Sequence, residues 1–146
     1  MTAQIQDIMD ALVTMQQAIA IPGGGLHDLQ AFDEPPASVA AFPVFVNIET
    51  GIQNVQLSGS HRHIEHLIDM HLLFAPTDQK YSVRERRLWV QAVLDAFGGK
   101  IRLGLSGAVG RIESVTYDPF ALNDVEYIAA TFSLRVLVDD AFAAAS

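Results

Sequence analysis

HRHIEHLIDMHLLFAP, residues His61 to Pro76, alternates in character from one residue to the next. Successive side chains of a β-strand point to opposite faces, so every second residue shares a face. One set is apolar except for one histidine: Ile64, His66, Ile68, Met70, Leu72 and Phe74. The other set is mostly polar: His63, Glu65, Leu67, Asp69, His71 and Leu73. This alternation, followed by Pro76, favours a long half-buried strand over a helix.

The segment after this strand carries the signals of a helix. Ser82 and Glu85 have the Ser-x-x-Glu spacing of a capping box, in which each side chain accepts a hydrogen bond from the other residue's backbone N–H. An apolar stripe at helical spacing follows: Val83, Leu88, Trp89, Ala92, Val93 and Ala96. Gly98 can adopt the left-handed conformation that ends many helices. We therefore expect a capped helix that stops at Gly98.

Residues 3 to 20 place apolar side chains at helical spacing and predict an amphipathic N-terminal helix. Residues 42–49 are typical of a strand, with Pro43 at its start or on a sheet edge, because proline donates no ladder hydrogen bond. Thr50-Gly51 is a candidate turn into a short second strand over residues 52–57.

Two further strands are expected near the C-terminus, over residues 108–117 and 125–138, before an alanine-rich tail over 139–146 that we expect to fray. The elements then run helix, two or three strands, helix, two strands. This order predicts a single α+β domain over residues 1–146. It contains a mainly antiparallel β-sheet of four to five strands, with two α-helices packed on one face.

The composition limits the possible functions. The 146-residue chain is half hydrophobic, which suffices for one core. It has no cysteine, which excludes disulfides, zinc–thiolate sites and thiol catalysis and fits a reducing compartment. A net charge of −8 argues against tight binding to the phosphate backbone of DNA. No apolar run is long enough to span a membrane, and the acidic N-terminus does not look like a signal peptide.

The histidine-rich start of the central strand is a candidate metal site, because imidazole and carboxylate ligands suit zinc or iron. His63 and His71 would lie about 26 Å apart along an extended strand, too far to share an ion. Only His61, His63 and Glu65 are close enough, and a straight strand points them in parallel. A solvated strand face or a subunit contact is the competing interpretation, and such a contact would be pH-sensitive.

Other chemical motifs are incomplete. Pro22-Gly23-Gly24-Gly25 is not followed by the lysine of a phosphate loop, and Gly104 to Gly110 lacks the strand-then-helix context of a dinucleotide site. The basic run Arg84-Glu85-Arg86-Arg87 is interpreted as the solvated face of a helix. We identify no catalytic residue, metal ligand or cofactor, and expect no enzyme activity.

The order of elements and three segments together resemble a known family. The segments are Phe42-Pro43-Val44-Phe45-Val46, the strand HLIDMHLLFAPTD with its capped helix LWVQAVLDAF, and the final strand YIAATFSLRV after the Tyr117-Asp118 turn. They resemble the tail-terminator, or tail-completion, proteins of long-tailed bacteriophages and related tail-like particles. The resemblance covers roughly residues 3 to 140 and rests on element order and hydrophobic pattern.

The resemblance implies a virion protein, assembled in the host cytoplasm, that forms a hexameric ring on the last ring of the tail tube. It would stop tube growth and present a joining surface to a neck or head-completion protein. DNA would pass through an acidic lumen without specific binding, and no membrane or cofactor is involved. The residues expected at interfaces are Pro22, Gly23, Gly24, Gly25, Asp33, Glu34, His61, His63, Arg84 and Arg87.

Three alternatives stay open. A head-completion or head–tail joining protein of the neck has a similar length. A small metal-dependent hydrolase would use His61, His63 and Glu65. A ligand-binding or adaptor domain of the same α+β class would hold a stoichiometric small molecule.

Overall fold

The computed structural model describes residues 4–19, 30–37, 39, 42–59, 61–75, 79–98, 101–105 and 107–141. Two helices and seven strands lie within these ranges. In chain order they are α1 (Ile5–Gln17), β1 (Gln30–Phe32), β2 (Val44–Leu57), β3 (His61–Phe74), α2 (Gln79–Phe97), β4 (Ile101–Arg102), β5 (Ala108–Thr116), β6 (Phe120–Leu122) and β7 (Val125–Ala141).

The described strands form one sheet in the order β1-β2-β3-β7-β5-β4, and β6 pairs with the start of β7. β3 occupies the middle and pairs along its length with both β2 and β7. The β1–β2 pair is parallel, and the other pairs are antiparallel. This confirms the predicted α+β domain with a mainly antiparallel sheet, to which the structure adds the short strands β1, β4 and β6.

Both helices pack on the same sheet face, as predicted from the apolar stripes. Their buried side chains form one core with the alternate residues of β3 and β7 that the sequence pattern assigns to the apolar face. From the helices this core takes Ile8, Met9, Leu12, Trp89, Val93 and Phe97. From the two strands it takes Ile68, Met70, Leu72, Phe74, Ala130, Phe132, Leu134, Val136 and Val138. Trp89 is 1% exposed, so α2 is anchored at its centre.

The described residues cover the opposite sheet face only in part. A smaller cluster, which includes Val44, Leu73 and Leu122, lies beneath β6 at one end of the sheet. Beyond it, the remaining β3 and β7 side chains of this face are mainly polar. We call this uncovered part the open face. This side of the sheet carries three of the four histidines of β3.

The structure corrects four local predictions. Thr50-Gly51 does not turn the chain: β2 continues through it, and the pairing with β3 shifts by one residue between Glu49 and Gly51. Such a β-bulge accommodates an extra residue within one strand. α2 begins at Gln79, so Ser82 lies inside the helix rather than at its cap. Asp139 to Ala141 do not fray, because they pair with the start of β3.

The fourth correction concerns the basic run in α2. Arg86 is half-buried: its guanidinium lies 4.4 Å from the centre of the Tyr117 ring, and its Nη1 donates to the Ala129 carbonyl at 3.4 Å. Arg84 and Arg87 are exposed, as a solvated helix face requires. The predicted end of α2 is confirmed, since Gly98 has a φ of 64° and its N–H donates to the Leu94 carbonyl at 3.0 Å. Neither described helix is long and apolar enough to cross a membrane.

Candidate functional site

The two histidines at the start of β3 share one carboxylate. Strand β7 runs antiparallel beside β3 and places Asp139 directly opposite His63, so their side chains emerge on the same face. His63 Nδ1 lies 3.3 Å from Asp139 Oδ2, and His61 Nε2 contacts Oδ1 of the same carboxylate. The hydrogen bond from His63, helped by His61, lowers the pKa of Asp139 below its usual 3.8. This exposed cluster links the start of β3 to the end of β7.

Glu65 belongs to a different cluster. Asn54 donates to Glu65 Oε2, and Arg135 Nη1 donates to Glu65 Oε1 at 3.1 Å. The hydrogen bond from Asn54 contributes most to lowering the pKa of Glu65, and the one from Arg135 adds to it. Burial acts in the opposite direction. Arg135 also donates to Glu113 at 3.4 Å and so bridges two carboxylates. The hydrogen bond to Glu65 raises the pKa of Arg135.

The candidate metal ligands are therefore separated by their partners. His61 and His63 bind Asp139, whereas Glu65 binds Asn54 and Arg135. No group of three or more His, Cys, Asp or Glu side chains within the described residues is arranged to hold a metal ion. The described open face is thus a set of paired charges, which suits a solvated or contacting surface better than a coordination site.

The other two histidines of β3 are partly or fully removed from solvent. His66 is 6% exposed on the helix-covered face, as predicted, and burial lowers its pKa. His71 stacks on Phe120 with ring centres 4.4 Å apart, and its Nδ1 lies 2.8 Å from Thr131 Oγ1. Burial lowers its pKa as well. These contacts join β3 to β6 and β7 and indicate a structural role.

The remaining predicted interface residues lie apart from the histidines in the fold. Pro22, Gly23, Gly24 and Gly25 fall outside the described residues. Asp33 and Glu34 are exposed just after β1, where Asp33 accepts a hydrogen bond from Gln6 Nε2 in α1 at 2.8 Å. Arg84 and Arg87 lie on the exposed side of α2. The polar site residues thus form separate patches.

One feature that sequence reasoning missed is apolar. The outer half of β2 and the start of β3 form a hairpin arm, residues 49–57 and 61–66. On it Ile52, Val55 and Leu57 are 51%, 52% and 64% exposed. Single exposed aliphatic residues are common, but three within six residues on one strand are characteristic of a contact surface. The sequence does contain a signal of this exposure, because the three apolar residues are interspersed with the polar residues Gln53, Asn54 and Gln56.

The chain matches no protein-family model, and no curated protein matches its sequence. The fold and the surface nevertheless define a structural class of protein. It is an α+β protein with helices on one sheet face, paired charges on the other and an apolar hairpin arm.

Proposed function

We propose that the chain is a structural ring protein of a phage-type tail, placed at the head-proximal end of the tail tube. There it ends tube polymerisation and provides the surface that joins the neck. The observation that carries this proposal is the hairpin arm, whose aliphatic side chains Ile52, Val55 and Leu57 stand in solvent in the isolated chain. Grouped exposed apolar side chains mark surfaces that bind a partner, and an assembling protein would bury them in its contacts.

The order of elements supports the same proposal. The long strands β2 and β3, the helix α2 and the long strands β5 and β7 follow one another in the order that the tail-terminator resemblance rests on. The assignment does not require catalytic chemistry. The charged side chains of the open face bind each other in pairs, as His61 and His63 do with Asp139.

The charge of the chain fits a ring through which DNA passes. A net charge of −8 per copy gives six copies a strongly negative field. Because DNA phosphates are also negative, such a lumen repels the backbone and does not retain the DNA. Passage without adhesion is what a channel at the tail–neck junction needs. On this proposal the protein is a virion component that is assembled in the host cytoplasm.

The test combines the purified chain with tail tubes polymerised from the major tail protein of the same genome. We expect rings by negative-stain microscopy, additional density at one tube end, and arrested tube growth. Leu57→Lys places a charge on the hairpin arm and should abolish end binding. Leu88→Lys is the matched control, because Leu88 on α2 is 61% exposed and lies off the arm.

Three outcomes decide between the candidates. A strict monomer that leaves tube growth unchanged contradicts the proposal. Binding to the connector of DNA-filled heads, but not to tubes, favours a head-completion or head–tail joining protein instead. A major tail protein encoded directly downstream supports the tail terminator.

A further inference from the structure

We propose that neighbouring copies join edge to edge, with the free edge of β2 in one copy hydrogen-bonded to the free edge of β5 in the next. This inference rests on the proposed self-assembly, and it names the surfaces that meet. Each free edge would thus pair with a strand from another copy of this chain.

Among the described residues, the edge of β2 is covered only at its beginning. β1 pairs with Val44, Phe45 and Val46. From Asn47 to Leu57 no described strand lies on that side, so a row of backbone N–H and C=O groups remains without a strand partner. Exposed edges are templates for pairing with another strand, and natural sheets commonly protect them with lysine or proline. Residues 47–57 contain neither, and carry the exposed Ile52, Val55 and Leu57 instead.

The edge of β5 has the complementary pattern. β4 pairs with Val109 and Gly110 only. Residues 111–116 have no neighbouring strand on that side in the described part of the chain. The two free edges therefore lie at opposite ends of the strand order, one beside β2 and the other beside β5. A copy moved sideways along the sheet brings its free β5 edge to the free β2 edge of its neighbour.

The strand directions allow this contact without reversing the orientation of the strands in either copy. β2, β3, β7 and β5 are successive antiparallel neighbours, so β2 and β5 run in opposite directions. Sideways repetition thus creates an antiparallel β2–β5 pair in which the helix-covered faces stay on the same side. A contact between two different surfaces of identical copies is heterologous, and it generates a ring when the rotation closes.

The free segments are also staggered. The free part of β2 extends toward the hairpin end of the sheet, whereas the free part of β5 extends toward the β6 end, since Thr116 pairs with Thr131. Neighbouring copies must therefore shift along the strand direction to overlap. A constant shift between adjacent strands tilts them relative to the axis of a closed barrel. The stagger predicts a ring of tilted sheets.

On each face of the sheet, the side chains at the free edge of β2 match those at the free edge of β5 in polarity. On the helix-covered face, Leu57 of β2 would approach the half-buried Ile112 and Val115 of β5. On the open face, Gln56 would approach Ser114 and Thr116, which are polar and exposed. Apolar cross-strand pairs stabilise a sheet, and polar pairs are tolerated at its solvated side. The competing possibility is that the β2 bulges keep this edge unpaired, since bulges also protect edges.

The absence of cysteine from the chain allows a direct test. Gln56→Cys and Ser114→Cys each place one thiol on the open-face side of a free edge. The two variants are assembled separately and as an equimolar mixture, then treated with a short bis-maleimide and run on a denaturing gel. We expect a covalent dimer in the mixture and only traces in either variant alone. Ala96→Cys, exposed on α2, is the control for random encounters.

The outcomes separate this inference from the proposed function. A dimer formed by Gln56→Cys alone indicates a two-fold β2–β2 contact and overturns the β2–β5 junction. Rings seen by microscopy without cross-linked dimer in the mixture also overturn the junction, but leave the tail role standing. Cross-linked rings that do not bind tube ends support the junction and contradict the tail role. A chain that stays monomeric overturns both.

Discussion

Gln16 in α1 and Asn47 in β2 are wholly buried and exchange two side-chain hydrogen bonds. Gln16 Nε2 donates to Asn47 Oδ1 at 2.6 Å, and Asn47 Nδ2 donates to Gln16 Oε1 at 2.8 Å. Asn47 Nδ2 also donates to the Phe32 carbonyl at 2.9 Å. One amide pair therefore fixes the position of α1 on the sheet and holds β1 beside β2.

We expect Asn47→Leu to destabilise the protein by about 1–3 kcal/mol, because it leaves the buried Gln16 amide without its partner. The double variant Gln16→Leu/Asn47→Leu should lose less than the sum of the two single variants, since neither amide is then left unpaired. Urea unfolding measures both values. Strictly additive losses would show that the two amides do not act as a pair. Exposed Gln17→Leu is the control.

This amide pair shows where prediction from the sequence ends. The alternation along β3 predicted the strand and the inward side of His66, because period two is a local property of the chain. The partners Gln16 and Asn47 are 31 residues apart, and His63 and Asp139 are 76 apart. Such pairs depend on how strands and helices are aligned along one another. A hydrophobic pattern predicts which face of an element is buried, but not this alignment.

The same limit explains the errors in β2 and in the tail. Thr50-Gly51 has the composition of a turn, but glycine also suits a bulge, and the choice depends on whether β3 continues alongside. The short, alanine-rich segment from Asp139 onward predicts a fraying tail. Pairing with His61 to His63 instead extends β7 to Ala141. The sequence predicts a strand over residues 52–57 of the hairpin arm, but it does not predict that the apolar side chains of this strand are exposed.

The left-handed cap of α2 gives a second prediction. Gly98 has a φ of 64°, and an L-residue pays roughly 1–2 kcal/mol in that conformation. We expect Gly98→Ala to lower the free energy of unfolding by about 1 kcal/mol. A Cβ at Gly98 would meet nothing within 4 Å, so the loss comes from backbone strain alone. Gly59→Ala in the hairpin turn, equally open, should be nearly neutral, and equal losses would refute the assignment.

Burial of His66 predicts a loss of stability in weak acid. Its pKa is lowered from 6.5 mainly by burial, with Arg62 acting in the same direction and Glu49 opposing. The unfolded chain then binds more protons below pH 6.5 than the folded one. The free energy of unfolding should fall as the pH drops below that value.

His66→Leu should reduce this acid loss and leave a remainder from His71, whose pKa is also lowered. Thermal unfolding at about pH 7.5 and pH 5.5 measures the difference between the two proteins. Gln17→Leu, at an exposed position without a titratable side chain, is the control and should leave the acid loss unchanged. An unchanged pH dependence in His66→Leu would show that this histidine does not titrate between the two states.

The pairing of the open-face charges predicts low metal content. After dialysis against zinc and then metal-free buffer, we expect well below one equivalent per chain by elemental analysis. The reason is that Glu65 is bound to Asn54 and Arg135 and does not join His61 and His63. Stoichiometric zinc that is lost in His63→Ala would instead favour the metal-dependent hydrolase.

Asp139 should stabilise the protein only while it is ionised. Its pKa is lowered from 3.8, first by the hydrogen bond from His63. A carboxyl whose pKa is lower in the folded state contributes stability above its unfolded pKa, and this contribution disappears as the pH falls through the folded pKa. Asp139→Asn should therefore lower the melting temperature near pH 6 and approach the wild type below pH 3.8. Asp118→Asn, in an exposed loop, is the control.

The same variant tests whether the His61–His63–Asp139 cluster acts in assembly. If the cluster lies at a subunit contact, ring formation by light scattering should change between about pH 5.5 and 7.5, where histidine ordinarily titrates. Asp139→Asn should then shift that dependence, because both histidines lose the carboxylate that they contact. Wild-type assembly that is constant over this range would place the cluster outside the contact, and would restrict it to joining β3 and β7 within one copy.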